Sequence, residues 1–380
     1  LLLGRYNIFG FFILGLAISF VGVATIFGVS YKNAFGEIDY SSSIKQLIFF
    51  VTSILIYFIL SNIKFTQILK SSYFIFAITS LLLLMVFFVG TTIFGSRRWI
   101  VMGPISIQPS EFAKFSLLIL LASLSEKLFK KSDVLKLIIF GSFVSFLPFV
   151  MVYFQPDLGT SVIFFVAYIS FLINSPNIPS KFLKILFLLT IIAIPVGWFF
   201  MKDYQKERVY EFSNAVLFGK GYDDNVQKSL EAITNGGVFG KGLGFGPDSV
   251  LRFLPSKQTD FIIAVVFESY GIFGGGIIFL FYLFLITDLW MVVPKMETRG
   301  AIVFSTCSAS IITFQILVNI GVNFGILPVT GIPAPFLSSG GSSLITNFAI
   351  LGVLSSATKD KVFETTKVKK NDLEFIQYDM

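Results

Sequence analysis

Ser72-Tyr-Phe-Ile-Phe-Ala-Ile-Thr-Ser-Leu-Leu-Leu-Leu-Met-Val-Phe-Phe-Val-Gly-Thr-Thr-Ile-Phe94 contains no charged residue. A helix that crosses the hydrocarbon core of a bilayer needs about 20 mostly apolar residues, and residues 72–94 supply them. The segment is one of many. Hydrophobic residues make up 55% of the 380-residue chain, charged residues only 13%, and mean hydropathy is +0.83. Soluble domains carry about 25% charged residues. The 48 phenylalanines are more apolar surface than a water-soluble fold of this size can hide.

By the same criterion, about ten spans are expected, at 8–28, 45–62, 72–94, 112–125, 135–154, 158–174, 182–201, 260–288, 301–327 and 336–357. The fourth is short and carries Lys114. The fold class is therefore an all-α integral membrane protein, a polytopic bundle of about ten transmembrane helices. A long extracellular loop, about 202–259, separates spans seven and eight. The first apolar stretch is too long for a cleaved signal peptide and reads as the first helix. Residues 1–358 form one transmembrane domain, and 359–380 a basic, then acidic, cytoplasmic tail.

Short cytoplasmic loops are enriched in lysine and arginine. Lys64 and Lys70, Lys127 to Lys136, Lys181 and Lys184, and Lys295 and Arg299 all fall on one side of a ten-span chain. Arg5 and the tail lysines join them, so both termini are expected in the cytoplasm. The net charge of +7 is topological information, not a nucleic-acid-binding surface. Histidine is absent, which excludes His-liganded metals and any Ser-His-Asp or Cys-His arrangement. Cys307, the single cysteine, reads as a small buried hydrophobe.

The polar segments of the opposite face carry the candidate chemistry. Arg97 and Arg98, beside Trp99, suit bidentate recognition of phosphate or simple anchoring at the interface. Glu111 and Lys114 share a face at a helix start marked by Pro109 and Ser110 and can pair, for structure or for chemistry. Asp157, in Gln155-Pro-Asp-Leu-Gly-Thr160, is placed to cap the following helix. The long loop carries Arg208 and then Asn235-Gly-Gly-Val-Phe-Gly-Lys-Gly-Leu-Gly-Phe-Gly246, which lacks the spacing of a nucleotide-binding loop. Its glycines instead suit a sharply turning backbone close to a ligand or headgroup. Asp260 stands at the start of span eight, where it or Thr259 could cap the helix, or where its carboxylate could act as a base. Glu268 is an intramembrane carboxylate two turns on. Ser338 and Gly340-Gly341-Ser342-Ser343 open the last helix with the backbone N–H groups and hydroxyls of a phosphate site.

Taken together, Gly95–Lys114, Gln155–Thr160, Gln227–Gly246, Leu254–Phe261 and Leu327–Ser343 resemble the SEDS (shape, elongation, division and sporulation) family of RodA, FtsW and their sporulation relatives. The resemblance implies a peptidoglycan glycosyltransferase in the bacterial cytoplasmic membrane. Such an enzyme polymerises lipid II on the outer leaflet, releases undecaprenyl pyrophosphate and works with a class B penicillin-binding protein and other membrane proteins of the elongation or division complex. It implies Asp260 as the catalytic carboxylate and the Glu111–Lys114 pair as its support. Arg97, Arg98, Arg208, Lys241, Ser338 and Gly340 to Ser343 are the candidate substrate contacts, with Asp157 and Glu268 as further candidates. No cofactor or metal-ligand set follows, although a divalent cation, magnesium or manganese, could share the neutralisation of pyrophosphate.

Gln258 stands where the family usually has histidine, and Ser339 where it has tyrosine. Leu327-Pro-Val-Thr-Gly-Ile-Pro and Arg252-Phe-Leu-Pro look RodA-like, while Ser229-Leu-Glu-Ala-Ile leans towards FtsW, the RodA likeness being the stronger. The rival from another class is a lipid II flippase or transporter, which would not need Asp260 for chemistry.

Overall fold

The computed structural model describes residues 3–29, 40–93, 96–103, 105–129, 134–175, 178, 181–182, 184, 188, 197–199, 201, 203–218, 223–243, 254 and 256–378. The helices are α1 (Leu3–Gly28), α2 (Ser41–Asn62), the short α3 (Phe65–Lys70), α4 (Ser72–Val89), α5 (Pro109–Phe129), α6 (Val134–Phe154), α7 (Leu158–Asn174), α8 (Asp203–Phe218), α9 (Asp224–Asn235), α10 (Ile262–Val292), α11 (Arg299–Asn323) and α12 (Gly341–Tyr378). A three-stranded antiparallel sheet lies between α4 and α5, with β1 (Thr91–Ile93), β2 (Ser96–Met102) and β3 (Ile105–Ile107) in that order. The sequence reading did not anticipate it.

Seven helices are long and apolar enough to cross a membrane: Gly10–Gly28, Ser41–Asn62, Ser72–Val89, Val134–Phe154, Ile262–Lys295, Arg299–Asn323 and Gly341–Lys359. The expected count of ten is not reached among the described residues. The span at 158–174 is α7, a shorter apolar helix. The span at 112–125 is the interior of α5, and the one at 182–201 lies largely outside the described residues. The tail boundary at 358 falls within α12, which continues unbroken to Tyr378.

α5 scored poorly as a span because it lies in the middle of the bundle. It packs against α4, α6, α11 and α12, and Leu117 to Ala122 are at most 1% exposed. Its Glu111 and Lys114 are buried among other helices. Lys114 Nζ pairs with Glu111 Oε2 at 2.8 Å, both side chains buried. Near the other end, Glu126 Oε2 accepts the Gly300 N–H at the start of α11 (2.9 Å). α11 and α12 share this interior, whereas α2, α4 and α6 turn side chains such as Phe58, Phe74, Phe88 and Phe143 outward. An apolar exterior around a polar-bearing interior is the arrangement lipid demands.

α10 is two pieces. Gly271 has φ 69° and ψ −169°, and breaks the helix between Ile262–Tyr270 and Ile272–Val292. Every residue from Ile262 to Ser269 is buried, while large exposed apolar side chains begin at Ile272 and recur to Met291. The backbone groups released at the break are taken up by the glycine-rich loop: Lys241 N–H donates to the Glu268 carbonyl (2.8 Å), Gly242 to Ser269 (3.0 Å), Ile272 to Gly237 (2.9 Å) and Phe273 to Val238 (3.1 Å). A Cβ on Gly271 would lie 2.3 Å from the Val238 carbonyl oxygen, and one on Gly240 the same distance from that of Ser269. The described glycines of this loop, expected to approach a ligand or headgroup, therefore approach another backbone.

Gly271→Ala is expected to cost about 1–3 kcal/mol from the backbone conformation alone, with a steric clash in addition. Hydrogen exchange should show lost protection at Lys241, Gly242, Ile272 and Phe273. Unchanged protection at these amides would contradict the pairing.

Candidate functional site

Asp260 closes a turn formed by residues 256–260 ahead of α10. Ser256 adopts φ +52°, and its carbonyl accepts the N–H groups of Thr259, Asp260 and Phe261. The N-cap of α10 is Phe261, with no side-chain cap bond of its own. The expectation that Thr259 or Asp260 caps the helix is thus corrected, and the Asp260 carboxylate is left available for other work. The turn is braced from behind by residues of the last loop. Ser338 Oγ donates to the Thr259 carbonyl (2.6 Å) and accepts the Ala334 N–H (2.8 Å), while Ser339 N–H donates to the Gln258 carbonyl (2.7 Å).

The carboxylate faces Arg98 across Gly331. A Cβ on Gly331 would lie 3.6 Å from Arg98 Nη1 and 4.0 Å from Asp260 Oδ2, ordinary contact distances, and it is the φ of +75° there that favours glycine. Arg98 is held by the turn that leads into α7: Nη2 donates to the Pro156 carbonyl (2.7 Å), and Nη1 lies 3.4 Å from Asp157 Oδ1. Asp157 also caps α7, accepting the Thr160 N–H (3.1 Å) and the Thr160 hydroxyl (2.9 Å). One carboxylate therefore serves both as helix cap and as anchor for the arginine. Arg208 reaches in from α8, its Nη1 donating to the Val329 carbonyl (3.2 Å). Arg98, Arg208, Pro156, Met201 and Thr330 line a small cleft open to solvent. The two guanidinium groups thus belong both to the cleft wall and to the surroundings of Asp260.

Burial pushes the Asp260 carboxyl up to about 6 from an ordinary value of 3.8. The Arg98 and Arg208 charges and a hydrogen bond from Thr259 oppose the rise, and the Asp157 charge adds to it. Burial also pulls the Lys257 ammonium, in the same turn, below its usual range. A carboxyl poised near neutrality beside fixed cations is suited to taking up a proton.

Other expected site residues are placed elsewhere. Arg97 and Arg98 are neighbours on β2, so they point to opposite faces. Arg97 Nη1 donates to the Phe87 carbonyl at the C-terminal end of α4 (2.7 Å), and the expected arginine pair is split. Lys241 has an exposed side chain and sits at the α10 break with Glu268. At 1.5 Å per residue, Glu268 is about 9 Å along α10 from its first residue, Ile262. Glu268 itself is buried. The Gly340–Ser343 helix start is engaged by protein: Gly340 N–H donates to Gln46 Oε1 (3.2 Å), and Ser342 Oγ accepts the Gln108 N–H (3.1 Å). Gly341 lies against the Phe49 ring. These residues brace the Asp260 turn and tie it to α5, so the open phosphate cradle expected from the sequence is partly filled. Among the described residues no three acidic side chains converge as a metal site, and Asp157 is committed to Arg98.

The sequence reading did not single out Gln46, Asn319 or Asn323. All three are buried, and Asn319 Nδ2 (3.0 Å) and Asn323 Nδ2 (2.9 Å) both donate to the Asp260 carbonyl. Two amides four apart in an apolar span were the available signal.

The family model FTSW_RODA_SPOVE, described as cell cycle protein, matches residues 5–362. The probable peptidoglycan glycosyltransferase FtsW of Buchnera aphidicola subsp. Baizongia pistaciae is 33% identical over 313 residues, covering 79% of this chain and 80% of that protein. The peptidoglycan glycosyltransferase MrdB of Escherichia coli K12 is 34% identical over 268 residues, 69% of this chain and 70% of its own length. Among solved structures, a chain reported under structural coordination of polymerization and crosslinking by a peptidoglycan synthase complex superposes with a TM-score of 0.75 at 25% identity, covering 93% of this chain and 97% of that one. The rod shape determining protein RodA of Thermus thermophilus shares the fold, with a TM-score of 0.65 at 23% identity over 93% and 96% of the two chains.

Because its folded-state value is raised, Asp260 contributes stability that is fully present below about pH 4 and lost as pH rises through about 6. Infrared titration, with the band assigned by its loss in Asp260→Asn, should give a midpoint near 6. Arg98→Gln should move that midpoint up by on the order of one unit. A midpoint below 4 in the native protein would contradict the assigned surroundings.

Proposed function

The chain belongs to the FtsW, RodA and SpoVE family and is a multi-pass membrane peptidoglycan glycosyltransferase; from that premise we propose that Asp260 is the base with which it polymerises lipid II. The observation that carries this reading is the Asp260 carboxyl, raised to about 6 within the field of Arg98 and Arg208, the two arginines that line an open cleft. In the reaction, Asp260 takes the proton of the acceptor GlcNAc 4-hydroxyl as its oxygen attacks the anomeric carbon of the lipid-linked donor. The bond to undecaprenyl pyrophosphate breaks, and a single displacement inverts the configuration at that carbon. Arg98 and Arg208 stabilise the charge gathering on the departing pyrophosphate, a role the split of the arginine pair takes away from Arg97. Gln258 occupies the usual histidine position, so proton transfer rests on the carboxylate alone. No step is assigned to a divalent cation.

The positive-inside pattern of the loops supports a topology with both termini in the cytoplasm and the Asp260 face outside, where an exported lipid-linked substrate is met. A class B penicillin-binding protein is the partner proposed, consistent with the synthase complex that contains the structural relative. The Leu327–Pro333 motif favours elongation as the role; depletion should then round the cells, and filamentation would assign division instead.

Purified protein with its partner and fluorescent lipid II should make glycan polymer, and Asp260→Ala should make none. The rate should rise with pH through an acid limb near 6. Normal polymerisation by Asp260→Ala would remove the base assignment, and lipid translocation by a chain that makes no polymer would favour a flippase.

A further inference from the structure

We propose that Asn319 and Asn323 are positioning residues that aim the Asp260 carboxylate by clamping its backbone carbonyl, an inference that rests on Asp260 being the base. The two asparagines lie one turn apart on α11, at most 1% exposed, in a helix otherwise apolar enough to span a membrane. Buried amides must find partners, and these two spend their donors on the turn. Asn319 Nδ2 donates to the Asp260 carbonyl (3.0 Å) and to the Ile332 carbonyl (2.8 Å). It thereby joins the catalytic turn to the loop that carries Gly331. Asn323 Nδ2 donates to the same Asp260 carbonyl (2.9 Å) and to the Asn319 carbonyl (2.9 Å).

Asn323 also works on the other side of the turn. Its Oδ1 accepts the Ala264 N–H (3.1 Å), the third residue of α10 and the amide that an N-cap side chain ordinarily serves. Phe261 has no such side chain, so Asn323 supplies the cap from a different helix. The peptide group after Asp260 is held at its oxygen while the helix it leads into is held at its first turn. These two holds fix where the Asp260 Cα–Cβ bond points, and so fix Oδ2 across Gly331 from Arg98. Asn323 is itself anchored by α9, whose Ser229 Oγ donates to the Asn323 carbonyl (3.0 Å). Neither asparagine lines the cleft; their effect on the reaction runs through Asp260.

The test is lipid II polymerisation by the full-length protein with its partner, comparing wild type, Asn319→Leu, Asn323→Leu, the double variant and Asp260→Asn, with melting followed in parallel. Each leucine variant should lower kcat by about 10–100-fold, the scale of a misplaced catalytic group. KM should stay within about twofold, and the acid limb of the pH profile should move. The double variant should lose little more than the worse single one, because both act through one carbonyl. If the leucine variants do not fold, Asn319→Ser and Asn323→Ser, smaller and still polar, should show the same kcat loss and pH shift. The proposal is overturned if kcat and the acid limb are unchanged, or if activity falls only in proportion to the folded fraction with the limb unmoved. An inactive Asp260→Asn beside unaffected asparagine variants sinks this proposal alone, whereas an active Asp260→Asn sinks the base assignment beneath it.

Discussion

The carbonyl oxygen of Asp260 is satisfied from inside the protein, by side-chain amides that reach it from α11. Where a chain meets the membrane, each polar backbone group must find such a partner or suffer several kcal/mol of lost solvation. Much of the architecture around the site follows from that requirement. The segment cannot be a helix without aligning Asp260 with the α10 axis, and it cannot be an open loop without stranding its carbonyls. The result is a turn in which Ser256, Thr259 and Gln258 carbonyls each have a donor, drawn from the turn itself or from the last loop. Three remote segments are thereby drawn to one place, and the Asp260 side chain is kept out of the helix cap.

The charges around it are graded by how tightly each is held. Asp157 is engaged by two bonds from Thr160 and by the nearby Arg98, whereas burial raises the proton affinity of Asp260 against the opposing charges of Arg98 and Arg208. One aspartate of the site is thus a helix cap and the other is not. The buried Glu111–Lys114 pair stands one layer further in, where Gln108, just ahead of it in the chain, bonds to Ser342. That link ties the centre of the bundle to the last loop and so to the Thr259 carbonyl.

Membrane helices were legible in the sequence because a run such as 72–89 has no other physical explanation, although the last residues of the expected span, Thr91–Ile93, form β1 instead. The least convincing span was α5, and for the same reason it proved central: charged residues that lower hydropathy are tolerable only where other helices surround them. The Asp157 cap was visible as an acid three residues before Thr160, a local signal. The split of Arg97 from Arg98 was not, since side-chain alternation matters only once β2 is known to be a strand, and β2 depends on pairing with two other segments. The glycines of 235–242 announced close approach, but the object approached, the broken middle of α10, lies some thirty residues away in the chain and is not a local property. Asn319 and Asn323 carried a local signal, two amides on one face of an apolar helix, whose meaning required knowing what that face meets.

The break at Gly271 gives the molecule a built-in measure of height. The piece from Ile272 to Val292 is about 31 Å long at 1.5 Å per residue, which matches the hydrocarbon thickness of a bilayer, and it is the piece whose side chains are open to lipid. The upper piece, sheathed in protein, lifts Asp260 roughly 13 Å further. The Phe267 ring of the upper piece lies against Gly275 and meets the Phe279 ring of the lower one, centroids 5.4 Å apart, so side chains as well as backbone hold the two together across the break. The break thus separates the length of helix that faces lipid from the length that sets the height of the carboxylate.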